Sequence, residues 1–227
     1  MATVSSPYGL KPISLIGGQS FTGGTIREYQ LTYNNTAPIF NGDLVSLSST
    51  TNYQGQPSVI ATSPTTSSTS IVDVCVGVRY QLAGQQLGYP LYAQYLPVNA
   101  ITAGYTNVFV RVVEDPDQLY QVQAAGSLTY TSIGKTAALG NFTAGTSSTT
   151  GNTQTGDSVV NLTGSVTSGV LTVANTNGLA VRIVDLVNSS STFGGNFPSN
   201  PGDAYTDVIV KINFGVHSYY QSTASAY

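Results

Sequence analysis

Along most of this chain, apolar residues recur at every second position in short runs, and clusters of Gly, Pro, Asn and Ser separate the runs. That period marks half-buried β-strands, whose successive side chains point to opposite faces. Residues 72–80 carry Val72, Val74, Val76 and Val78 in alternation, which predicts a strand with a common valine face. Residues 107–113 place Val108, Val110 and Val112 on one face and Phe109, Arg111 and Val113 on the other, so both faces are predicted to be covered. Further strands are predicted over 26–33, over 44–47 after the Asn41-Gly42-Asp43 turn, and over 91–96 between Pro90 and Pro97. Residues 119–123 follow the Glu114-Asp115-Pro116-Asp117 turn and are predicted to form a hairpin with 107–113. The strongest late runs are 179–187 and 205–214, the latter with Val208, Val210 and Ile212 sharing a face.

Helical periodicity is nearly absent. Only residues 132–139 could form a turn or two, and Gly134 weakens even that. Many short strands joined by turns predict an all-β fold, a β-barrel or β-sandwich of short antiparallel strands with little helix. Residues 1–25, rich in Gly and broken by Pro7 and Pro12, read as an extended N-terminal arm ahead of a single β-rich domain over 26–227. Within that domain, residues 141–178 form a Ser/Thr/Gly-rich excursion predicted to hold a hairpin and to tolerate change better than its flanks. A second polar stretch, 54–69, surrounds Pro64, and no internal repeat supports a solenoid or propeller.

Composition narrows the function classes. Of 227 residues, charged side chains make up 7%, where an ordinary soluble domain has about 25%. Seven Lys and Arg in a chain of net charge -3 cannot build the basic footprint of a nucleic-acid binder. No stretch approaches the roughly 18 uninterrupted apolar residues of a membrane-spanning helix. Hydrophobic residues at 41%, with 15 Tyr and 7 Phe, are enough to fill a core, so a disordered polar chain is not expected. Residues 1–15 show no basic cluster followed by an apolar run, which makes cytoplasmic synthesis the expectation.

Candidate chemistry is sparse. Cys75, flanked by Val74 and Val76, is expected to be buried and inert. His217 is the only histidine and has no Gly-x-Ser-x-Gly elbow to serve, so a structural or surface role is expected and no catalytic residue is assigned. Gly134-Lys135-Thr136 has the ending of a phosphate loop, but Thr129 stands where the leading glycine belongs. Glu114, Asp115 and Asp117 form the only acidic cluster; a solvated turn is the expected role, with a Ca²⁺ site as the alternative. No cofactor or metal site is expected. The tyrosines fit either contact surfaces or core filling, and Tyr219, Tyr220 and Tyr227 read as contact residues.

Four segments, Ser6-Pro7-Tyr8-Gly9-Leu10-Lys11-Pro12, Gly42-Asp43-Leu44-Val45, Val76-Gly77-Val78-Arg79-Tyr80 and Pro201-Gly202-Asp203-Ala204-Tyr205-Thr206-Asp207-Val208, resemble the decoration, or cement, proteins of tailed-bacteriophage capsids. Asp115-Pro116-Asp117 and Ser132-Ile133-Gly134-Lys135 join the resemblance, which is weakest over 141–177. It implies a non-enzymatic β-rich structural protein, commonly a homotrimer, made in the host cytoplasm and placed on the outer surface of the virion. There it would bridge major capsid protein subunits. The resemblance assigns attachment to the N-terminal arm, here Pro7, Tyr8, Gly9, Leu10, Lys11 and Pro12. Residues 13–16 could then add a strand to an exposed capsid edge, and removing residues 1–12 should leave a folded domain that no longer binds. The alternative is a Tyr-rich glycan-binding or adhesin module on a virion or cell surface.

Overall fold

β-Branched and aromatic runs become strands throughout the computed structural model, which describes residues 5–21, 25–48, 58–61, 71–82, 84, 88–141, 151–174, 179–187 and 202–213. In chain order the strands are β1 (Lys11–Leu15), β2 (Ile26–Gln30), β3 (Ile39–Phe40), β4 (Leu44–Leu47), β5 (Val59–Ala61), β6 (Ile71–Gln81), β7 (Leu91–Ala93) and β8 (Tyr95–Leu96). They continue as β9 (Thr106–Val113), β10 (Gln118–Gln123), β11 (Thr136–Gly140), β12 (Asn161–Thr163), β13 (Val166–Thr167), β14 (Val170–Leu171), β15 (Val181–Leu186) and β16 (Asp207–Ile212). The one helical element among the described residues is a 3₁₀ turn, Tyr130–Ser132. The protein is therefore all-β, with curled antiparallel sheets forming a half-barrel.

Sheet I has the order β1-β10-β16-β15-β11-β12, and sheet II the order β2-β9-β6-β4-β5 with β7 also paired to β6. The centre of sheet II is buried on both faces. Leu44, Val74 and Val113 point to a core shared with Tyr120, Val122, Val181, Ile183, Val208 and Val210 of sheet I. Their strand neighbours Val45, Cys75 and Val112 point the other way, into a second core closed by Leu31, Ile39, Leu96 and Ala100. Each fully buried Val or Leu contributes roughly 1.5–3 kcal/mol, so both cores count.

The predicted single valine face of β6 is broken. Gly77, at φ +141°, sits in a register shift between Cys75 and Val78 where β6 pairs with β9. This bulge leaves Val74 and Val76 against sheet I but turns Val78 to the side of Cys75. The predicted 107–113/119–123 hairpin is also absent. Both edges of β9 are taken, by β2 and β6, so the 114–117 turn carries the chain out of sheet II and delivers β10 to sheet I, between β1 and β16. The expected helical turn over 132–139 is instead mostly β11. Gly134 at φ +84° ends the 3₁₀ turn, and Ile183 N donates to Lys135 O at 2.9 Å as the chain joins β15.

The predicted run 91–96 splits at Gln94: β7 stays on β6 while β8 leaves to pair with β3. The excursion does hold a hairpin, β13–β14, turned by Ser168 (φ 51°) and Gly169 (φ 81°), the left-handed pair of a type I′ two-residue loop. It is anchored, since β12 pairs with β11 and Val160, Leu162 and Leu171 enter the shared core. Residues 5–21 lie bound along the domain. β1 is the edge strand on β10, Ser14 bridges back to Ser20, and Leu10 is 1% exposed in the shared core. Removing residues 1–12 would therefore take part of the core with it, contrary to the expectation of a separable arm. No helix among the described residues is long and apolar enough to cross a membrane.

Candidate functional site

Segments 6–12, 42–45 and 202–208 meet at one place, beside Cys75 of β6. Gly9 and Gly42, both at positive φ, pack so closely that a Cβ on Gly42 would lie 3.0 Å from the Gly9 Cα. Leu10 N donates to Gly42 O at 3.0 Å, Gly42 N donates to Cys75 O at 2.8 Å, and Cys75 N donates to Asp43 O at 2.8 Å. Tyr8 Oη donates to Asp207 Oδ1 at 3.0 Å. Asp43 accepts from Phe40 N at 2.8 Å and from Ser158 Oγ at 2.5 Å. These bonds fasten the N-terminal segment across the seam between β4, β6 and β16.

Of the predicted contact residues, Gly9 and Leu10 are buried, Pro7, Tyr8 and Pro12 are half-buried, and Lys11 is exposed with Nζ 4.6 Å from the Tyr8 ring centre.

Three carboxylates are capped by phenols. Tyr8 serves Asp207, Tyr120 Oη donates to buried Asp73 at 2.7 Å, and Tyr29 Oη donates to Glu114 at 2.7 Å. Burial first, and then the neighbouring carboxylate, push all three phenols up, Tyr29 to about 12, so each remains a donor at neutral pH. Burial also raises the carboxyls of Asp43, to about 6, and of Asp207.

The acidic turn is divided between the sheets. Glu114 pairs with Arg27 at 3.1 Å, Asp117 pairs with Lys211 at 2.8 Å, and Asp115 accepts from the Asp117 amide at 2.9 Å. Its carboxylates diverge toward separate partners, and no group of three His, Cys, Asp or Glu suited to a metal ion occurs among the described residues. Around Gly134-Lys135-Thr136, the three amides donate to Ile183 O, Ser132 O and Ala174 O, which leaves none to cradle a phosphate. Cys75 is fully buried, and burial pushes its thiol up to about 12; as a protonated thiol it is a poor nucleophile at neutral pH. His217, Tyr219, Tyr220 and Tyr227 lie outside the described residues.

Apart from Ile16 and Tyr33, the exposed large apolar side chains among the described residues fall on two stretches of the fold. On sheet II, Tyr89 is 92% and Tyr92 65% exposed, with Leu91 and Val98 also open to solvent. They flank β7, which pairs with β6 on one side and with no described strand on the other. On the sheet I side, Tyr130 and Ile133 are exposed beside the β13–β14 hairpin, whose Val166 and Val170 face solvent. The Ser127–Val170 bridge ties that hairpin to the approach to Tyr130. Charge stands beside both: Arg79 is the cross-strand partner of Tyr92, and Lys135 follows Ile133 by two residues. Sequence reasoning missed both groups because Tyr89, Tyr92 and Tyr95 look alike in the chain, whereas Tyr95 stacks on Phe40 at 5.3 Å and the other two stand in water. A scan against protein-family models and searches of curated proteins and of solved structures return no match.

Proposed function

We propose that this chain is a structural virion protein that docks on the outer surface of a phage capsid as a homotrimer and stabilises the shell by bridging major capsid protein subunits. The observation that supports this reading is the exposure of large apolar side chains on two parts of the fold: Tyr89, Leu91, Tyr92 and Val98 in and around β7, and Tyr130, Ile133, Val166 and Val170 from the 3₁₀ turn to the β13–β14 hairpin. Large apolar side chains held in solvent are candidates for interaction surfaces, and a bridge needs two. Tyr supplies rigid contact area with little entropy lost on docking. The edge of β7 that pairs with no described strand can add main-chain hydrogen bonds to such a contact. The N-terminal residues contribute through Lys11 and the half-buried faces of Pro7, Tyr8 and Pro12, while Gly9 and Leu10 hold the segment in place.

The test is co-sedimentation of the purified protein with expanded capsids that lack it, followed by cryo-EM of the pellet. The expected result is added density on the outer shell. Tyr89→Asp combined with Tyr92→Asp should weaken binding about tenfold or more, because each truncation removes a desolvated aromatic contact, with an unchanged circular dichroism spectrum. Absence of both sedimentation and outer density would overturn the reading.

A further inference from the structure

Where β2 ends, residues 30–33 run beside residues 101–108, and an open cavity of about 350 Å³ lies between them. Its floor is apolar: Leu31 and Val108 are both buried and are joined by a 3.0 Å bond from Leu31 N to Val108 O. Its walls carry Tyr33, half exposed, and Tyr105, braced edge-on by Tyr80 at 4.9 Å between ring centres. Asn107 lines it too, held in the left-handed region at φ 50°. The Asn107 amide is oriented by a relay. Its Nδ2 donates to Gln81 Oε1 at 2.7 Å, and Gln81 Nε2 donates to Gly88 O at 3.0 Å. The relay uses the amide's nitrogen and leaves Oδ1 as an acceptor.

No charged side chain lines this cavity. An anion or a cation would lose its hydration there without gaining a counter-charge. A neutral polyol has the matching pattern, with an apolar C–H face for aromatic and aliphatic walls and hydroxyl donors for an amide oxygen. The volume sits at the small end of the range for ligand sites.

We propose that this cavity binds a neutral hexose unit, its C–H face against Tyr33 and Tyr105 and one hydroxyl donating to Asn107 Oδ1. The site is separate from both contact groups assigned to capsid docking, so it stands or falls independently of that function.

Saturation-transfer NMR on the full chain tests it, with glucose, galactose, mannose and their disaccharides as probes and glucuronic acid, sialic acid and inorganic phosphate as charged comparisons. At least one neutral sugar should receive saturation at millimolar concentration. Tyr33→Ala should weaken that binding about tenfold or more, the loss of one aromatic contact, while Tyr33→Phe should retain it. Asn107→Gly keeps the left-handed backbone and removes the acceptor, and it should weaken binding similarly. Melting temperatures of the variants establish that the fold persists. No transfer to any neutral sugar, transfer to the charged probes alone, or binding unaltered in both Tyr33→Ala and Asn107→Gly would overturn the proposal.

Discussion

A buried carboxyl without a cation beside it makes stability depend on pH in an unusual direction. Asp43 titrates near 6 in the fold against an ordinary 3.8, so the folded chain binds its proton more tightly than the unfolded chain. Its contribution is therefore fully present below about pH 4 and is lost as pH rises through 6, a change of up to about 3 kcal/mol. Asp207 is raised in the same direction. Urea denaturation between pH 4 and 7 should show stability falling across that window, and Asp43→Asn should flatten the fall. An unchanged profile in Asp43→Asn would refute this assignment. The phenol caps make a second contrast. Tyr120→Phe strips a fully buried donor from Asp73 and should cost about 1–3 kcal/mol, whereas Tyr29→Phe leaves Arg27 on Glu114 and should cost less than about 1 kcal/mol. Gly42→Ala should cost about 2 kcal/mol or more, because it adds a Cβ against Gly9 at a φ of +92°. None of these roles can be read from residue type. Tyr8, Tyr92 and Tyr95 differ only in what the fold brings to them.

At the scale of strands, alternation disclosed most of sheet II and the late strands of sheet I, because Val108, Val110, Val112, Val208 and Val210 each bury a face that only a pleated strand can present. Pairing was not legible. A four-residue turn such as 114–117 suits a hairpin or a crossing between sheets equally well, and only the occupied edges of β9 decide. β11 was hidden for a different reason: Thr-Ala-Ala-Leu-Gly has the propensity of a helix, and pairing with β12 and β15 overrides it. β1 was hidden by Pro12 and by the role given to its neighbours. Leu10→Ala should lower stability by about 2–5 kcal/mol, read as a drop in melting temperature, because the residue belongs to the core and not to a free arm. Lys211→Ala, which removes only the exposed pair with Asp117, should cost no more than about 1 kcal/mol. Equal losses from these two variants would refute the distinction.

For the whole molecule, sparse charge means that cohesion comes from two apolar cores and from phenol–carboxyl bonds, with three partly exposed ion pairs among the described residues. Screening by salt acts on exposed pairs. The melting temperature should therefore move by less than about 3 °C between low and molar sodium chloride, and a larger fall would show that ion pairs carry the fold.

The bond from Tyr8 to Asp207 spans 199 positions of sequence. Residue 8 leaves the ribosome long before residue 207 exists, and β1 likewise waits for β10. Closing contacts of such separation is slow, because loop entropy is lost before the contact rewards it. The N-terminal segment is thus synthesised before most of the domain and seated after it. A nascent chain halted ahead of β16 should leave residues 5–15 open to protease, and release of the complete chain should protect them.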